Sequence, residues 1–102
     1  MSFSVGNYQF QGPFKNADQM EDKAGVYAIF CGKNNEYIII DLGHSEKIKS
    51  AIEDHNRKQV WDKYCKGDLI YACYYTDEKK HKERETIENE IRLEYLPLLG
   101  VN

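Results

Sequence analysis

The sequence predicts a small α/β (α+β) domain in which a three-stranded antiparallel or mixed sheet is flanked by helices. Three features of the sequence predict this fold. Two apolar runs are separated by a short polar turn, a helical repeat of apolar residues follows them, and a nearly continuous apolar stretch precedes a last helical segment. The order strand, strand, helix, strand, helix is typical of this architecture. With 102 residues, we expect one domain over 1–102, with an extended lead-in over 1–23 and a core over 24–102.

The lead-in carries a loose alternation of aromatic residues at Tyr8, Phe10 and Phe14. Gly12-Pro13 interrupts it, and proline cannot donate a hydrogen bond within a sheet ladder. We therefore expect an extended lead-in or an edge strand here, rather than a central strand.

The first two core strands form a predicted hairpin. Residues 25–31 and 37–42 are rich in β-branched and aromatic side chains, and the polar segment 32–35 lies between them. A short turn of glycine, lysine and asparagine between two such runs favours an antiparallel pair.

A helix is predicted after the hairpin, with Ser45 as its N-cap. Apolar or ring-bearing residues then recur at the i, i+3, i+4 and i+7 positions, which are Ile48, Ala51, Ile52 and His55. The sequence predicts that this helical region continues to about Cys65 and stops at Gly67.

The third core strand is predicted over 68–76, where apolar and aromatic residues are almost uninterrupted. Such a run is typical of a strand buried on both faces, so we expect it in the middle of the sheet. Thr76 or Asp77 is the predicted cap of a long helix that runs to about Leu96, where Pro97 ends it.

Composition excludes several classes of protein. A hydrophobic fraction of 41% and an aromatic fraction of 13% are too high for a disordered tail. The apolar runs are shorter than a membrane span, and the first residues lack the features of a signal peptide, so we expect a cytoplasmic protein. A net charge of −3 opposes broad phosphate binding, and any nucleic-acid contact must use a local patch.

The three cysteines, Cys31, Cys65 and Cys73, are odd in number and contain no CxxC pair. This pattern argues against a disulfide framework or a zinc knuckle. The sequence therefore predicts reduced, buried thiols.

Two short triplets stand out in the predicted core. Gly25-Val26-Tyr27 begins one strand, Asp41-Leu42-Gly43 ends the next, and Glu88 lies on a helix ahead of Pro97. Over residues 24–102 this arrangement resembles the GIY-YIG nuclease domain, with valine for isoleucine in the first triplet and Asp41 where the family has tyrosine. The resemblance implies a three-stranded antiparallel sheet with helices around it.

The resemblance also implies roles for individual residues. Tyr27 would help to deprotonate the attacking water, His55 would stand at the family's histidine, and Glu88 would hold Mg²⁺ or Mn²⁺. The family's phosphate-binding arginine falls on Ala51. Its trailing asparagine corresponds to Asn102.

The two departures bear on catalysis. Ala51 supplies no charge, and the loss of one charge-stabilising donor can cost about 10²–10³-fold in rate. Asp41 adds a carboxylate that repels phosphate or, alternatively, acts as a second oxygen ligand for the metal. Lys47 and Lys58 are candidates to replace the arginine as nucleic-acid-binding cations, and simple solvation is the alternative for both.

Two functional hypotheses follow. The first is a GIY-YIG-like domain with a degenerate nuclease site, acting as a non-catalytic or weakly active binding module for a protein or, weakly, for nucleic acid. The alternative is a divalent-metal-dependent endonuclease whose rearranged site hydrolyses phosphodiester bonds with Tyr27, Asp41, His55 and Glu88. A third possibility is self-association through the aromatic N-terminal segment.

Structural roles compete with each assignment. Tyr27 is equally typical of a packed ring on a strand, and His55 of a histidine at the edge of the core. Glu88 lies near Arg84 and Arg92 on the helix and can pair with either. The basic run 79–82 is the densest cationic cluster of the sequence, and solvation is its commoner role.

Overall fold

The computed structural model of the protein describes residues 2–34, 36–55, 58–76 and 81–94, without the side chains of residues 2 and 3. Over these ranges it is a mixed α+β fold, as predicted. The strands are β1 (Ser2–Val5), β2 (Tyr8–Phe14), β3 (Gly25–Lys33), β4 (Glu36–Ser45) and β5 (Asp68–Tyr75), and the helices are α1 (Ile48–Glu53), α2 (Lys58–Tyr64) and α3 (His81–Glu94).

The strands form one antiparallel sheet in the order β1-β2-β5-β3-β4. The predicted β3–β4 hairpin and the central position of β5 are confirmed. The three predicted strands are present as β3, β4 and β5, but the sheet has two more, because the lead-in folds into a hairpin and β2 pairs with β5. The register of that pairing shifts between Gln11 and Phe14, and this irregularity accommodates Pro13 within a strand.

Side-chain alternation along β3 divides the core into two layers. Val26, Ala28 and Phe30 pack with Ile87 and Ile91 of α3. We call this side of the sheet the α3 face. The other side, which we call the α1–α2 face, is formed by Met20, Tyr27, Ile29, Ile40, Ile48, Ile52, Trp61, Tyr71 and Cys73.

The predicted single helix between β4 and β5 is two short helices, α1 and α2. Trp61 follows Ile52 by nine positions, and in one continuous helix of about 100° per residue it would point away from the side that Ile52 buries. The interruption lets Ile48, Ile52 and Trp61 all pack on the α1–α2 face. The N-cap position belongs to Lys47, and Ser45 ends β4 with its Oγ accepting the Lys47 N–H at 3.0 Å.

Helix α3 is described from His81 to Glu94. Thr76, one of its two predicted caps, lies outside it, and its backbone N–H donates to the Ala24 carbonyl at 2.9 Å. Asp77, the segment 79–80, the predicted end at 96–97 and Asn102 lie outside the described residues. None of the described helices is long and apolar enough to cross a membrane.

The prediction of three reduced thiols was wrong for two of them. Cys31 and Cys65 form a disulfide with an S–S distance of 2.04 Å, and Cys73 is a free, buried thiol. Cys31 lies on β3 against the α1–α2 face, and Cys65 directly follows α2, whose Trp61 packs on that face. The packing of these layers brings together two cysteines that are 34 positions apart in the sequence, and no local sequence pattern signals such a distant pair.

Gly43 is required by its cross-strand neighbour. It lies opposite Tyr27 in the β3–β4 ladder, and a Cβ at Gly43 would collide with the phenol oxygen and Cζ of Tyr27. The tyrosine ring therefore lies over the glycine, where any larger residue would displace it.

We expect Gly43→Ala to lower the free energy of unfolding by about 1–3 kcal/mol, the usual cost of overpacking. In a Tyr27→Ala background the same substitution should cost clearly less, because the ring is gone. Urea denaturation of the four proteins in this double-mutant cycle measures the coupling. Equal costs in both backgrounds would contradict the contact.

The Tyr75 phenol at the end of β5 accepts the Glu21 backbone N–H at 2.9 Å. Desolvation by burial, with a smaller contribution from the Cys73 side chain, raises the pKa of Tyr75 to about 12. An unperturbed tyrosine has a pKa near 10. The folded state therefore favours the neutral phenol.

Because the folded pKa is the higher one, this phenol contributes its full stability below about pH 10 and loses it as the pH rises through 12. We expect tyrosinate absorbance of the native protein to include a late phase near pH 12, reduced by one phenol in Tyr75→Phe. The urea-unfolded protein is the control and should titrate near pH 10. A late phase of unchanged size in the variant would refute the assignment.

Candidate functional site

The two triplets are antiparallel neighbours on β3 and β4. Tyr27 lies opposite Gly43, and Ile29 lies opposite Asp41. Residues that pair directly in an antiparallel ladder present their side chains on the same side of the sheet. Tyr27 and Asp41 therefore share the α1–α2 face.

Asp41 is completely buried. Its Oδ2 accepts the indole N–H of Trp61 at 2.7 Å, and its Oδ1 accepts the Leu42 backbone N–H at 2.8 Å. Arg92 Nη2 lies 4.0 Å from Oδ1. These donors and the guanidinium offset the cost of burying a carboxylate, and they leave it closed to the hydrated Mg²⁺ that an open site would bind.

Tyr27 and His55 lie next to Trp61. Tyr27 is 4% exposed, and its ring centroid is 6.0 Å from that of the half-buried His55. The imidazole also lies 4.6 Å, centroid to centroid, from the indole. Ala51 packs against the same cluster and contributes a methyl group where the resemblance implies an arginine.

The structure does not place Glu88 with these residues. Its Oε1 lies 2.6 Å from His44 Nδ1, and its Oε2 accepts from Arg92 Nε at 2.7 Å. His44 lies opposite Val26 and so projects onto the α3 face. Because α3 packs on the side opposite α1 and α2, the expected single cleft of Tyr27, Asp41, His55 and Glu88 is not formed.

The assigned metal ligands, Asp41 and Glu88, do not converge on one open position. Among the described residues, no group of three or more histidine, cysteine, aspartate or glutamate side chains is arranged to hold a metal ion. Arg92 lies between the two carboxylates, 4.0 Å from Asp41 Oδ1 and 2.7 Å from Glu88 Oε2. The Arg92 guanidinium therefore supplies the positive charge between the two carboxylates.

The two candidate nucleic-acid-binding lysines lie at the starts of the short helices. Lys47 and Lys58 are both exposed, and Lys58 Nζ donates to the Glu53 carbonyl at 3.4 Å. Of the two arginines named with Glu88, Arg92 is its partner, and Arg84 donates to Thr76 Oγ1 at 3.5 Å.

Three residues that make contacts at the candidate site were not predicted to do so from the sequence. Trp61 was predicted to lie in a helix, and no polar partner was predicted for it. The signal available was that it is the one tryptophan of the sequence. Arg92 Nη2 donates to the Leu42 carbonyl at 2.6 Å, and the two residues are 50 positions apart in the sequence. His44 follows Gly43 directly, and strand alternation alone indicates that it faces away from Tyr27.

Comparison with protein-family models, curated proteins and solved structures finds no match to this chain.

The indole–carboxylate bond gives a direct test of the buried site. We expect Trp61→Phe to lower the free energy of unfolding by about 2–4 kcal/mol, since it removes a donor from a buried carboxylate and leaves a small cavity. Tyr64→Phe is the matched control on the same helix, because Tyr64 is 61% exposed; it should stay within about 0.5 kcal/mol of wild type. Equal, small effects in urea denaturation would refute the importance of this bond.

Proposed function

We propose that this chain is a degenerate GIY-YIG-like domain that acts as a binding module and not as an efficient nuclease. The single observation that carries the proposal is the state of Asp41. At the position where the resemblance expects the tyrosine of the second triplet, a fully buried carboxylate accepts a hydrogen bond from Trp61. A group closed in this way cannot contact a phosphodiester.

The pairing of the two triplets supports the GIY-YIG-like part of the proposal. Tyr27 and Gly43 are direct partners, and the element order from β3 to α3 is the predicted order of the core except that the first helix is divided into α1 and α2. The hairpin of β1 and β2 is an addition at the β5 side of the sheet.

The charges around the site support the absence of efficient catalysis. Ala51 provides no cation, and Glu88 is engaged by His44 and Arg92 on the other face. Phosphodiester hydrolysis needs a cation at the non-bridging oxygens and a base for water in one place. We propose that at most weak cleavage survives, with any Mg²⁺ or Mn²⁺ held loosely.

The ligand of the module is proposed to be a protein or, weakly, a nucleic acid. The net charge of −3 favours weak phosphate binding, and exposed Lys47 and Lys58 are the proposed contacts.

Incubation of the purified protein with plasmid, single-stranded DNA and RNA in Mg²⁺ or Mn²⁺ tests the proposal. Without the arginine, the missing stabilisation corresponds to a loss of about a hundredfold or more in rate. We expect little or no cleavage, and the same residual level in Glu88→Ala.

Glu85→Ala is the matched control, because Glu85 is an exposed carboxylate on the same helix. Robust turnover that Glu88→Ala abolishes and Glu85→Ala leaves intact would overturn the proposal. The rearranged metal-dependent endonuclease would then be the function.

A further inference from the structure

Two buried side chains hold helix α2 against the sheet. Trp61 is the one buried residue among the seven of the helix, all of which the structure describes, and the other six are exposed. The second attachment is Cys65, which directly follows the helix and forms the disulfide with Cys31 of β3. A helix this short is not stable by itself in water, so these attachments keep it in place.

The disulfide end of α2 is coupled to the buried tryptophan. The Cys65 backbone N–H donates to the Trp61 carbonyl at 2.9 Å. Cys31, in contrast, lies on β3, which pairs with β4 on one side and with β5 on the other. If the S–S bond is cleaved, the two ladders keep Cys31 where it is, and the resulting movement falls on α2 and on Trp61.

Trp61 covers polar side chains of the α1–α2 face. Its indole N–H donates to Oδ2 of the buried Asp41 at 2.7 Å, and its ring lies 4.6 Å, centroid to centroid, from that of His55. Tyr27 lies next to this imidazole, at 6.0 Å between ring centroids. One residue of α2 therefore limits access to a carboxylate, with an imidazole and a phenol beside it.

A small thiol has a route to the disulfide. Cys65 lines an open cavity of about 460 Å³, together with residues such as Asp62 and Gly67. This volume lies within the range of sites that admit small molecules. Cys31 is only half-buried. A disulfide that a thiolate can approach is exchanged more readily than one enclosed in a core.

We propose that the disulfide between Cys31 and Cys65 is a redox switch: while it is intact, α2 stays closed over Asp41, and its reduction by a dithiol lets α2 open. A thiolate of the dithiol attacks one sulfur and forms a mixed disulfide, and the other cysteine leaves as a thiolate that takes up a proton. The second thiol of the reagent then closes its own disulfide and releases the first cysteine. Two electrons and two protons thus pass from the dithiol to the protein.

The switch concerns access to the same site as the function proposed above. Its test needs no ligand and no cleavage, so either proposal can fail without the other.

The one tryptophan of the chain provides the experiment, because its indole N–H is the donor to Asp41. Exchange of this proton with D₂O is followed by NMR at fixed pH, in the oxidised protein and after full reduction with dithiothreitol. We expect reduction to speed the exchange by about tenfold or more, the change that loss of a long-range cross-link produces in an opening equilibrium.

The backbone amide of Ala28 is the internal control, since Ala28 is fully buried on a strand that is paired on both sides. Its exchange should change clearly less than that of the indole. Unchanged indole exchange in the reduced protein, or equal acceleration of both signals as in global unfolding, would overturn the switch.

Variants separate this disulfide from the third cysteine. Cys31→Ser should show the fast indole exchange without dithiothreitol, and the reagent should add nothing. Cys73→Ala is the matched control, because Cys73 is a free thiol on the same face; it should respond to dithiothreitol as the wild-type protein does. Slow exchange in Cys31→Ser, or loss of the response in Cys73→Ala, would refute the assignment. Reduction of the wild-type protein tests the same point without a substitution.

Discussion

The hydrogen bond between the buried Asp41 carboxylate and Trp61 is the interaction on which the two helical layers depend. A buried charge is tolerated only where donors and opposite charge surround it. Trp61 supplies a donor from α2, and Arg92 of α3 brings its guanidinium to 4.0 Å while bonding the Leu42 carbonyl. Elements from both faces thus meet at one point of β4. Because β4 is an edge strand, α3 can reach around it, and Arg92 occupies a carbonyl that would otherwise be exposed for strand pairing.

The same strand separates two sets of polar side chains. Gly43 accommodates the Tyr27 ring on one face, and the next residue, His44, bonds Glu88 on the other. Strand alternation makes this division unavoidable, since consecutive side chains point to opposite sides of a sheet. Residues that are adjacent in the sequence therefore serve separate environments, one closed by Trp61 and one open beside α3.

The elements that were predicted correctly are those that local sequence patterns determine. The β3–β4 hairpin and the central β5 follow from runs of β-branched and aromatic residues. The sequence predicted less regular structure in the lead-in than it has, because Pro13 argues against a strand. In the structure, the irregular register between β2 and β5 accommodates this proline. At the site, Tyr27 and Asp41 were correctly placed side by side by the hairpin. The face of α3 was not predictable, because its apolar stripe fits either side of a sheet and the choice depends on the chain path after β5.

Glu88 shows how the two faces bear on function. The resemblance assigns it to a metal, yet one oxygen orients His44 and the other pairs with Arg92. Replacing a buried ion pair by apolar residues often leaves stability unchanged or improves it, so stability alone is a weak reason for such a network. The chain nevertheless carries charged residues from Asp41 through Arg92 to Glu88 and on to His44. The network joins the edge strand to the last helix, because Asp41 and His44 lie on β4 while Glu88 and Arg92 lie on α3. The network therefore favours a role in fixing α3 against β4 over metal-dependent chemistry, since protein groups contact both carboxylates that the resemblance assigns to a metal.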